Sequence, residues 1–196
     1  MHEYLTSTKI IDWQNHHIQQ LAYHLRAVNP HATAKACFEW VRDNICHSSD
    51  YQMNPITCSA SEVLKHQTGY CYAKSHLLAA LLRANSIPTG FCYQRLSVFD
   101  HGAPYSLHGL NALYLEEYGW YRLDARGNKP GINAQFVPPK EQLAFSINFP
   151  EEIDCQHVFA EPLPEVIQAL HACHTWDELL NHLPDVKRDY LAELLD

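Results

Sequence analysis

The chain has 196 residues, 46% hydrophobic and 18% charged, the make-up of one globular domain able to bury a core, and its 11% aromatic content excludes a disordered chain. Lys+Arg 14 against Asp+Glu 22 leaves a formal charge of -8, which disfavours a general electrostatic grip on nucleic acid or an anionic membrane surface; the 14 histidines soften that charge only below neutral pH. No run approaches the ~18 apolar residues of a membrane span, the N-terminus (Met1, His2, Glu3, Tyr4) lacks the segments of a secretory signal, and seven scattered cysteines are unlike a disulfide framework, so the expectation is a cytoplasmic protein with reduced thiols.

Ser7 and Thr8 are candidate caps for a first helix carrying Ile11, Ile18, Leu21, Ala22 and Leu25 on one face and stopped by Pro30. Ala34, Cys37, Phe38, Val41 and Ile45 repeat at three- and four-residue steps and predict a second helix, with Thr33 as its cap. Ser59 and Glu62 form a capping-box pattern for a short third helix that Gly69 ends. From Cys71 through Ala84 the residues are strong helix formers, apolar nearly all round, which predicts a central buried helix with its exit at Pro88. The texture then changes to a strand over 91–98, a loop from Asp100 to Pro104, and a hairpin of strands 110–115 and 120–123 joined through Glu116–Gly119. Residues 126–139, with Gly127, Pro130, Gly131, Pro138 and Pro139, predict an ordered loop with a short strand over 132–137. The tail reads as short amphipathic helices carrying Val166, Ile167 and Leu170, then Trp176, Leu179, Leu180 and Leu183, then Leu191, Leu194 and Leu195, punctuated by Pro162, Pro164 and Pro184.

Cys71 is the first candidate for chemistry, because Gly69 and Tyr70 deliver it to the first turn of the buried helix. Unpaired N–H groups and the helix dipole there favour thiolate over thiol and offer donors to an oxyanion. Such a nucleophile needs a base, and His108 stands 37 residues later, at the start of the first hairpin strand. Asp124, 16 residues beyond His108 near the end of the returning strand, can orient it, since an antiparallel hairpin brings such ends together and a bulge at Gly119 can adjust the register. A lone Cys or His in these settings is more often a core residue; the joint pattern is what points to nucleophilic catalysis. Tyr51 and Asn54 are further candidates to line the cleft or supply a second oxyanion donor, whereas Trp40 reads as core packing. In the tail, Cys155, His157, His171, Cys173 and His174 offer metal-binding atoms, but their spacings match no common zinc module and read as a His-rich surface. Neither a metal nor a cofactor is expected.

Thr68-Gly69-Tyr70-Cys71, opening a helix that closes with Arg83-Ala84-Asn85-Ser86-Ile87-Pro88, resembles the nucleophile segment of transglutaminase-like proteins. His108-Gly109-Leu110-Asn111 and Gly119-Trp120-Tyr121-Arg122-Leu123-Asp124 resemble the family's His and Asp strands, in the same order and at similar spacing. The resemblance covers about 34–125 and implies a papain-like α+β fold: N-terminal helices, a nucleophile helix packed on an antiparallel sheet, and a helical extension over about 162–196, all in a single domain over 1–196. It also implies roles: Cys71 the nucleophile, His108 the general base and then acid, Asp124 the orienting carboxylate. Leu110 and Ala112 stand where many members carry Trp and Glu, so substrate identity does not transfer. The stretch from Asp124 to Gly131 resembles a bacterial subgroup; there Arg126 and Lys129 read either as partners for a substrate carboxylate or as solvated charges on a rigid turn.

The expected activity is thiol-dependent acyl transfer on a peptide or other amide-bearing substrate through a thioester, with water or an amine as acceptor, and with no nucleic-acid or membrane partner. A papain-type protease places its His well over a hundred residues after its Cys, and arylamine N-acetyltransferases have a more Gly-rich, Arg-containing nucleophile loop. The remaining alternative is a non-catalytic member of the same fold that binds peptides in its cleft.

Overall fold

A computed structural model describes residues 1–99 and 101–193. After a 3-10 turn at His2–Leu5, helix α1 (His16–Leu25) begins well past the expected caps. Thr8 Oγ1 accepts from the Ile10 and Ile11 N–H groups and so closes a tight turn of its own, while the Asn15 side chain accepts from the His17 N–H and starts the helix. Helix α2 (Pro30–Asn44) is capped by Asn29, not Thr33, and Pro30 opens it at a position whose N–H has no helical partner. Its buried face is Ala34, Cys37, Phe38 and Val41, as the spacing predicts. Strand β1 (Cys46–His47) and helix α3 (Ser48–Tyr51) follow, both too short to leave a period in the sequence.

Helix α4 (Ala60–His66) carries the predicted capping box of Ser59 and Glu62, and it ends at Gln67, in the left-handed region at φ 52, rather than at Gly69. Gly69 instead belongs to β2 (Thr68–Gly69), which pairs in parallel with β1, His47 opposite Gly69. Helix α5 (Cys71–Ala84) has the predicted bounds and is buried along almost its whole length. At its end Arg83 donates to the carbonyls of Thr89, Thr6 and Ala160, tying three remote segments to one side chain.

The main sheet is antiparallel, in the order β5-β4-β3-β8, from β3 (Thr89–Ser97), β4 (Tyr105–Leu115), β5 (Gly119–Leu123) and β8 (Ile153–Phe159). The hairpin ladder runs from Asn111 opposite Leu123 to Leu115 opposite Gly119 without a bulge; Gly119 turns the chain at φ 74, and the sheet's irregularity lies instead between Phe91 and Tyr93 where β3 meets β8. Strand β8 was not among the predicted elements. Its buried Ile153 and Cys155 alternate with more exposed Asp154 and Gln156, the pattern of a half-covered strand. Strands β6 (Gln135–Val137) and β7 (Lys140–Gln142) form a separate small hairpin, shorter than the strand expected over 132–137.

One face of the sheet, with Phe91, Tyr93, Leu107, Leu113, Tyr121 and Leu123, shares a core with Leu77, Leu78, Leu81 and Leu82 of α5. The other face carries Cys92, Leu110 and Ala112 under Leu143 and Val158, and there Arg122 bridges Glu141 and Asp154. Helices α6 (Pro164–Ala172), α7 (Trp176–Asn181) and α8 (Arg188–Ala192) form the tail. The expected Leu194 and Leu195 of the last stripe, and Asp100 at the head of the 100–104 loop, lie outside the described residues. Among the described residues no helix is long and apolar enough to cross a membrane.

Candidate active site

Tyr70 enters α5 in an extended conformation without a side-chain cap, and the first helical bond runs from the Lys74 N–H to the Tyr70 carbonyl. The N–H groups of Cys71, Tyr72 and Ala73 therefore stay outside the helical ladder, at the positive end of the helix dipole. Strand β4 passes this turn at backbone distance: a Cβ on Gly109 would lie 3.0 Å from a Tyr72 ring atom and 3.3 Å from Tyr72 Cα. Only glycine permits that approach, and it carries the neighbouring His108 to Cys71. His108 lies inside β4, three residues past its start, because the strand begins at Tyr105 rather than near residue 110.

Ala112 opposes Arg122 across the hairpin, so alternation along each strand puts His108 and Asp124 on the same face. Their side chains meet, His108 Nε2 at 2.7 Å from Asp124 Oδ2. Asp124 also accepts backbone N–H groups from Arg126 at 3.0 Å and from Ala144 at 3.1 Å, so it is fully hydrogen-bonded although buried. Cys71 lies close enough to the same imidazole to add to the upward pull of Asp124 on its pKa. The Phe145 ring packs edge-on against His108 with centroids 4.8 Å apart. The structure thus brings Cys71, His108 and Asp124 together.

Burial alone pulls the His108 pKa down, but the Asp124 carboxylate and Cys71 outweigh it and push it up to about 10. Burial likewise pushes Asp124 up, and here His108 with the two backbone N–H groups wins, holding the carboxyl below its usual 3.8. Because the His108 value is raised on folding, its contribution to stability is complete below 6.5 and fades as pH climbs toward 10; because the Asp124 value is lowered, its contribution is complete above 3.8 and fades on acidification. Asp124→Asn removes the carboxylate that outweighs burial and is expected to drop the His108 pKa from about 10 to near or below 6.5. NMR titration of the imidazole checks this, and an unmoved titration contradicts the assignment of cause.

Of the other expected cleft residues, Tyr51 lies on a polar cavity beside the site, Asn54 is engaged by the Trp176 N–H at 2.8 Å, and Trp40 packs against the core. Arg126 is buried rather than solvated, and with Lys129 it grips Asp50. Sequence reasoning missed His47, Asp50, Lys74 and Phe145. Lys74 did leave a signal, since a lysine in an otherwise apolar buried helix must find oxygen acceptors. Cys155 lies in β8, and among the described residues no group of three or more His, Cys, Asp or Glu side chains could hold a metal ion. A larger groove of about 910 Å³ lies along α1 and α4 and includes none of the three converging residues.

Residues 19–125 match the family model of the transglutaminase-like superfamily, beginning earlier than the resemblance over about 34–125. A Cytophaga hutchinsonii protein provisionally assigned as a cysteine protease superposes with a TM-score of 0.51 at 23% identity, over 63% of this chain and 40% of its own. The periplasmic domain of TgpA from Pseudomonas aeruginosa superposes with a TM-score of 0.46 at 20% identity, over 62% of this chain and 45% of its own. This chain thus matches less than half the length of either structure, and the first likeness shows a shared fold. No curated protein matches the chain.

Proposed function

The chain belongs to the transglutaminase-like superfamily, and from that premise we propose that it is a cysteine acyltransferase or hydrolase acting on amides. The observation that carries this reading is the buried His108 imidazole, hydrogen-bonded to the buried Asp124 and raised in pKa by that carboxylate and by Cys71 at a helix start. In the proposed reaction the Cys71 thiolate attacks the amide carbonyl, and its electron pair moves onto the oxygen, which the Cys71 N–H stabilises. The protonated His108 gives its proton to the departing amine, leaving a thioester on Cys71. Water or a second amine then attacks the thioester; the now neutral His108 takes the incoming proton and Cys71 departs as the thiolate, which restores the starting pair. Asp124 keeps the ring oriented through both steps and stabilises it whenever it carries the proton. The substrate is a peptide or other amide, and an amine is the acceptor when the outcome is transamidation.

Selective alkylation tests the nucleophile directly. Burial pushes the thiols of Cys37, Cys58 and Cys92 up to about 12, which makes them internal controls, and half-buried Cys46 controls for access. With iodoacetamide at about pH 6, where ordinary thiols are protonated, Cys71 is expected to react at least ~10-fold faster than Cys46, and His108→Ala should erase most of that advantage. Equal rates at Cys71 and Cys46, read by mass spectrometry, overturn the reading.

A further inference from the structure

Beside the three residues lies a cavity of about 340 Å³ whose lining includes Arg42, Lys74, Arg126 and Lys129 against two carboxylates, Asp43 and Asp50. A local excess of positive charge stands out in a chain whose formal charge is -8. Arg42 is taken by Asp43, at 2.7 and 2.8 Å. Asp50 receives both arms of the Arg126 guanidinium at 2.5 and 3.1 Å and the Lys129 ammonium at 2.7 Å. Lys74 lies behind them, donating to the Ile45 carbonyl and, at 3.3 Å, to that of Arg42, with no carboxylate of its own. Burial and Arg126 draw its pKa down to about 7, so an arriving anion would complete its protonation. His47, buried on the same wall, has an Nδ1 with no hydrogen-bond partner, 3.9 Å from the nearer Asp50 oxygen. Burial and Arg126 keep that ring neutral.

Position ties this cavity to the chemistry. His47 sits opposite Gly69, two residues before Cys71, Lys74 is one turn beyond Cys71 on α5, and Arg126 is two residues past Asp124. The Arg126 guanidinium also stands 5.7 Å from the centre of the Phe145 ring that packs on His108. We infer that the cavity is an anion subsite that takes a carboxylate borne by the acyl portion of the substrate, competing with Asp50 for Arg126 and Lys129. The two-armed grip of Arg126 on Asp50 matches a planar carboxylate, and the unpartnered His47 Nδ1 and Lys74, which hydrogen-bonds no carboxylate, supply the remaining contacts. The subsite rests on the acyl-transfer reading for its meaning, since it defines the substrate class as amides that carry a carboxylate near the reacting carbonyl.

Binding to the full chain carrying Cys71→Ala, which cannot turn over, separates the subsite from the reaction. The probes are glutaramate, an amide with a carboxylate, and the neutral diamide glutaramide, titrated by two-dimensional NMR at low salt. Glutaramate is expected to bind at least about tenfold more tightly. Asp50→Asn on the same background removes the competing anion and should tighten glutaramate binding several-fold, whereas Lys129→Gln, at a side chain 43% exposed, should weaken it. Equal affinity for the two probes overturns the subsite, as does unchanged or weaker glutaramate binding in a folded Asp50→Asn chain. Should Asp50→Asn fail to fold, the Lys129→Gln comparison decides: weakened binding supports the subsite and unchanged binding overturns it. A retained carboxylate preference together with an unselective Cys71 in the alkylation test upholds the anion site and overturns only the acyl-transfer reading.

Discussion

Cys71→Ala is expected to lower amide turnover by ~10⁴-fold or more while moving the melting temperature by no more than about 2 °C. The first effect is large because the proposed covalent step has no substitute: His108 and the helix N–H groups remain, but no atom is left to accept the acyl group. The second is small because the residue occupies the first turn of α5, where Ala is a good helix former and the lost sulfur leaves little void. Incorporation of a fluorescent amine into a glutamine-containing protein, run beside ammonia release, reads the transfer and hydrolysis branches separately. Activity retained in Cys71→Ala would remove the thioester from the mechanism. A large drop in melting temperature would instead show that the residue's main role is packing.

Arg83→Ala is expected to be the most damaging substitution for stability, by about 3–5 kcal/mol, or a fall in melting temperature of roughly 6–20 °C. The side chain is buried and makes its hydrogen bonds to backbone carbonyls: Thr89 at 3.0 and 2.8 Å, Thr6 at 2.8 Å and Ala160 at 2.5 Å. Burial lowers its pKa to about 10, still well above neutral, so the charge persists and those oxygens compensate it. Truncation leaves a cavity and three carbonyls without that donor, at the junction of the N-terminal segment, the start of β3 and the chain leaving β8. Differential scanning calorimetry measures the loss; a change below about 1 kcal/mol would show that water replaces the guanidinium there. The same geometry gives a physical reason for an Arg near the end of the nucleophile helix: the side chain fastens the helix to the sheet.

Residues with strong local signals were legible in the sequence. Helix α5 is legible by composition, α4 by its Ser59–Glu62 box, and the β4–β5 hairpin by apolar runs around Gly119; α5 and the hairpin position Cys71, His108 and Asp124. Where a local signal competes with a tertiary contact the reading failed. Thr8 offered a hydroxyl that caps only a turn, and Ile11 is buried without being helical. Strand β8 is absent from the expected elements although the alternation of Ile153, Asp154, Cys155 and Gln156 is readable, because its seven residues follow a Pro-containing irregular stretch with no hairpin partner adjacent in sequence. His47 and Asp50 left no trace, because a two-residue strand and a one-turn helix have no period, and the Asp50–Arg126 pair spans 76 residues of sequence. Phe145 lies in an irregular segment, and only the folded sheet brings it to His108.

Strand β3 is flanked by β4, made directly after it, and by β8, which arrives about 60 residues later in the order of synthesis. At roughly 5–20 residues per second a ribosome leaves the β8 side of β3 unpaired for some 3–12 s. From residue 124 to residue 153 the nascent chain contains Cys71, His108 and Asp124, together with an apolar strand carrying an open row of N–H and C=O groups. Translation therefore delivers the three site residues before it delivers the strand that seals the sheet, and a chain cut short between residues 125 and 153 carries an unpaired β3 edge prone to pairing with its neighbours.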